Sequence, residues 1–90
     1  MTHQRLRETI QELRAELEKT PSIDARVRER IQSVLNEIDA LIEEHGEIPP
    51  HRHQQFLERL REPARHFEQS HLPLTLAVAR VIDALSGIGI

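Results

Sequence analysis

The sequence predicts an all-α protein that resembles a four-helix bundle: an antiparallel hairpin of two long helices, a kinked third helix and a short apolar fourth, with a dimer as its expected state. Three observations carry that expectation. Apolar residues recur at helical steps in four successive blocks. Prolines, glycine and N-capping residues fall between the blocks. The composition, 38% apolar and 30% charged, sits in the globular range. The chain of 90 residues is expected to be one domain, 1–90, with helices over about 3–19, 23–45, 51–69 and 71–86. A chain this short withdraws only about 60 to 65% of its unfolded surface from water, so its core should be thin.

In the first block Leu6, Ile10, Leu13 and Leu17 follow one another at steps of 4, 3 and 4, a single apolar seam on a charged helix. The second repeats the rhythm with Val27, Ile31, Val34, Ile38 and Leu41, and Leu35 and Ile42 widen its later half, which predicts contact with two neighbours. Between them KTPSID carries Pro21 and two N-cap candidates, Ser22 and Asp24; a turn this short lays the helices antiparallel. Gly46 is the expected stop of the second helix.

Charge points the same way. Arg5 and Arg7 lie early and Glu16 and Glu18 late in the first helix; Arg26, Arg28 and Arg30 lie early and Glu37, Asp39, Glu43 and Glu44 late in the second. Each helix opposes its own macrodipole, and an antiparallel partner sets arginines against carboxylates at both ends. The same complementarity serves pairing within the chain and pairing of the second helix with its own copy, so both arrangements stay open.

The third block follows Pro49-Pro50 and carries Phe56, Leu57, Leu60, Ala64 and Phe67 on one side. Pro63 lies inside it, where it removes a backbone donor and crowds the carbonyl of Arg59 at a cost of about 3 kcal/mol. Because the apolar phase continues past the proline, a kink at 59 to 63 is expected. Ser70 is the expected cap of the fourth helix, with Pro73 in its first turn. There Leu74, Leu76, Ala77, Val78, Val81, Ile82 and Leu85 cover more than half the circumference, so the helix should be central or covered by another subunit. Gly87 reads as its C-cap, with Ile88 folding back on Ile82.

The composition excludes several kinds of chemistry. There is no Cys, hence no disulfide, thiolate nucleophile or cysteine metal site. Tyr and Trp are absent, which removes the best stacking surfaces for bases. Arg26 and Arg30 share a face, yet the net charge is -3 and no basic stripe is present, so no nucleic-acid partner is expected. MTHQRLRETI does not read as a signal peptide, and no apolar run approaches the roughly 18 residues of a membrane span, so no membrane association and a cytoplasmic location are expected.

The stretch HGEIPPHRH, residues 45 to 53, concentrates three of the six histidines. Ligands on a helix need spacings of three or four, and no two histidines have them. His51 and His53 converge only if residues 50 to 53 are extended, with His45 or Glu47 as a third ligand. The bland reading is a solvated corner. The metal reading, a histidine-based module built on His45, Glu47, His51 and His53, is the alternative function. His66 and His71 flank the junction of the last two helices. No nucleophile stands beside a base and the carboxylates lie in charge runs, so no enzymatic activity and no cofactor are expected.

The opening LRETIQELRAELE, the second-helix stretch SIDARVRERIQSVLNEI and the closing FEQSHLPLTLAVARVIDALSGIGI together resemble the bacterial domain-of-unknown-function family 4404. Ser70-His71 and the terminal Asp83-Ala84-Leu85-Ser86, with Ile88-Gly89-Ile90, are the more particular part; Pro63 and the histidine corner depart from it. The resemblance implies an all-helical fold and a bacterial source, and it brings no activity and no site residues.

The expected function is therefore that of a non-enzymatic helical module that self-associates as a dimer or serves another protein. Its interaction or core face consists of Leu6, Ile10, Leu13, Leu17, Val27, Ile31, Val34, Ile38, Leu41, Phe56, Leu60, Phe67, Val78, Val81 and Leu85. Capture of the terminal Gly89-Ile90 carboxylate by a peptide-binding domain is a lesser candidate.

Overall fold

In the computed structural model, which describes residues 3–67 and 70–88, each apolar block folds as a helix: α1 (Gln4–Lys19), α2 (Ala25–His45), α3 (Pro50–Ala64) and α4 (Leu72–Ile88). No strand occurs among the described residues. The boundaries follow local chemistry. The Asp24 carboxylate accepts the Arg26 N–H at 2.7 Å and caps α2, so Asp24, not Ser22, fills the N-cap. Gly46 ends the helix in the left-handed region at φ 71°, its N–H donating to the Ile42 carbonyl at 2.8 Å. Pro50 occupies the first turn of α3, where a missing donor costs nothing.

The third helix departs from expectation. It stops at Ala64, one residue after Pro63, instead of kinking and running on; of the expected stretch to 69, residues 68 and 69 lie outside the described part. Beyond it the chain tightens: His66 N–H donates to Pro63 O at 3.1 Å and Phe67 N–H to Ala64 O at 3.1 Å, both spanning three residues. These turns carry Phe67 into the core at 3% exposure, which explains why the apolar phase outlasts the helix.

The fourth helix begins at Leu72, after His71 and not after Ser70, and the His71 carbonyl accepts the Thr75 N–H at 3.0 Å and its hydroxyl at 3.1 Å. It passes through Gly87, which therefore is not its C-cap. The Ile88 side chain and Gly89-Ile90 lie outside the described residues, and with them the expected Ile88 contact and the terminal carboxylate.

The helices form an antiparallel ring in the order α1, α2, α3, α4. Arg14 reaches Asp39 at 2.8 Å and Asn36 at 2.9 Å, joining α1 to α2; Arg30 meets Glu62 at 3.6 Å between α2 and α3; Arg80 meets Glu12 at 3.1 Å between α1 and α4. The backbones approach most closely along α1–α4 and then α2–α3, and least along α1–α2. The hairpin predicted as the main unit is thus the loosest side of the ring. A buried alanine, Ala77, lines the α1–α4 groove and permits the closer approach there.

Arginines early in α2 do not meet the late carboxylates of α1. Arg28 instead donates through Nη1 to the Leu17 carbonyl and through Nη2 to the Thr20 carbonyl, the latter at 2.8 Å, placing its charge on the negative end of the α1 dipole.

One core fills the ring, from Leu6 on α1 to Leu85 on α4, with Ile48 plugging it from the α2–α3 corner at 3% exposure. The folded chain exposes 5807 Å², so about 60% of the roughly 15,000 Å² of an unfolded chain of this mass is withdrawn. The radius of gyration, 12.4 Å, matches the value of about 12 Å for a compact chain of this length. The bundle therefore closes within one chain.

Candidate functional site

The residues expected to form the interaction or core face are core. Leu6, Ile10, Leu13, Leu17, Val27, Ile31, Val34, Ile38, Phe56, Leu60, Phe67, Val78, Val81 and Leu85 are all buried in the chain's own interior, and Leu41 packs half-buried against them. They hold the monomer together and leave none of their seams for a second chain.

The apolar surface that remains lies elsewhere. Among the described residues the exposed large hydrophobic side chains are Leu72, 63% exposed, and Leu76, 58% exposed. They stand four apart on α4, so they share one face, with Pro73 and Ala79 exposed beside them. Leu74, Val78, Val81 and Leu85 turn inward from the same helix. The face continues into a shallow groove of about 310 Å³ between α1 and α4, lined by Glu12, Ala15, Glu16, Lys19, Pro73, Leu76, Ala77 and Arg80. Charged and apolar side chains are interleaved along it: the Arg80–Glu12 pair closes one end, Glu16 stands midway with Ala15, Leu76 and Ala77, and Lys19, 3.9 Å from Glu16, stands at the other end. Leu76 was legible as apolar, but in a helix apolar over most of its circumference the periodicity does not separate inner from outer leucines.

A second cluster, on the α2–α3 side, was not anticipated. Glu37 receives Arg59 and, at 3.3 Å, Arg52, two arginines seven apart on one side of α3. The Arg59 hydrogen bond, joined by the charges of both arginines and opposed by burial, holds the Glu37 carboxyl below its usual range. Arg52 also lies over the Phe56 ring, 5.1 Å from its centre. The neighbouring groove, about 640 Å³, is bordered by Arg26, Glu29, Arg30, Arg59 and Glu62 over Val34 and Pro63. Arg30 pairs with Glu62 and Arg59 with Glu37, so the cluster ties two helices together.

The histidine corner is not extended. Residues 50 to 53 are the first turn of α3, so His51 and His53 point apart, and the convergence that a metal site needs is not formed. His53 Nε2–H donates to the Ile48 carbonyl at 3.2 Å, which pins the corner, while His51 is exposed. His45 is exposed beside Glu44 at 3.7 Å, and Glu47 faces solvent. Among the described residues no three His, Asp or Glu side chains gather as a metal site would require. His66 and His71 border a small pocket of about 180 Å³ with Ser22, Asp24 and Ser70, where Asp24 is already engaged as the α2 cap. No helix among the described residues is long and apolar enough to cross a membrane.

No curated protein and no solved structure matches the chain. A family described as a domain of unknown function, DUF4404, matches residues 6–90, which takes in α1 from its third residue on, the other three helices, the α1–α4 groove and both exposed leucines of α4. With nearly its whole length covered, the chain belongs to the DUF4404 family.

Proposed function

We propose that this protein is a non-enzymatic helical interaction module that self-associates through the outer face of α4. The observation that carries the reading is the pair Leu72 and Leu76, 63% and 58% exposed, the large apolar side chains left exposed among the described residues. Isolated surface leucines are ordinary. These two are one helical turn apart, next to Pro73 and Ala79, and Leu76 borders a groove where Glu12, Glu16, Lys19 and Arg80 stand beside the apolar side chains, the mixture of apolar and charged groups that protein interfaces carry. The face sits on a closed bundle, so association adds to a folded monomer and does not complete it.

The test is solution mass by light scattering behind gel filtration over about a hundredfold range of concentration. The parent should pass from monomer toward dimer, and Leu72→Glu/Leu76→Glu should remain monomeric with an unchanged melting temperature. A parent that stays monomeric throughout overturns the reading.

A further inference from the structure

We draw no further inference here: the strongest candidate, the α2–α3 groove bordered by Arg26, Arg30 and Arg59, belongs to the ion-pair cluster already described, in which Glu62 pairs with Arg30, Glu37 with Arg59 and Glu29 shares the rim with Arg26, so its charges balance within the chain.

Discussion

Replacing Ile38 by alanine tests whether the apolar seams belong to the monomer. Ile38 is 0% exposed in the centre of α2, and Leu41, three residues on and part of the same sequence pattern, is only half-buried. Truncating a fully buried isoleucine costs about 2 to 5 kcal/mol from lost transfer energy and the cavity left behind. At about 0.05 to 0.15 kcal/mol per residue the whole domain is stable by about 5 to 13 kcal/mol, so this one change removes a large share. With a melting shift of about 4 to 8 °C per kcal/mol for a domain of this size, Ile38→Ala should melt about 8 to 40 °C below the parent. Leu41→Ala removes a side chain still partly in water and should cost about half as much. Thermal melts followed by far-UV circular dichroism, at concentrations low enough to keep the protein monomeric, measure both. If Ile38→Ala melts within about 3 °C of the parent, or if Leu41→Ala is the more damaging, the assignment of α2's buried face is wrong.

Two further outcomes follow from the polar contacts. Arg28→Met keeps the apolar stem but removes the fork that binds the Leu17 and Thr20 carbonyls; it should cost about 1 to 2 kcal/mol in denaturant unfolding, Arg28→Lys should recover part of it, and no loss in Arg28→Met would refute the capping role. Glu37→Gln should cost about 0.5 to 1 kcal/mol at neutral pH, since the pairs with Arg52 and Arg59 are partly exposed. A carboxyl held low in the folded state contributes its stability above the ordinary glutamate pKa and loses it as pH falls through the folded value. The gap between parent and Glu37→Gln should therefore close as the pH falls below the ordinary glutamate range, and a gap that widens there would contradict the pairing.

The core could be read directly from the sequence because steps of three and four fix which side of a helix is apolar, and Leu6 through Leu17 or Val27 through Ile38 admit little else. Asp24, Gly46 and Pro50 marked boundaries for equally local reasons. What the pattern does not contain is the neighbour each face meets, so the α1–α2 hairpin was given a weight that belongs to α1–α4. Pro63 was misread as a kink because Phe67 keeps the apolar phase, although tight turns and not helix carry it inward. Arg28 was expected to find a carboxylate because the carbonyls at the end of α1 do not appear in a string of side-chain letters. The outer leucines could not be told from the inner ones for a similar reason: in α4 most positions are apolar, and only packing decides that Leu74 and Val78 turn in while Leu72 and Leu76 stay out.

The ring order also bears on how the bundle assembles. Its closest helix pair joins residues near 12 to residues near 80, the longest separation in the chain, whereas α2 and α3 are joined through a four-residue corner already pinned by His53 on Ile48. Closing a loop roughly three times longer costs about 1 kcal/mol more in chain entropy. The α2–α3 pair can thus form early from local contacts, and α1 must wait for α4 to find its nearest support. Once assembled, the two outer helices depend on each other: an opening that lifts α4 takes from α1 its tightest neighbour.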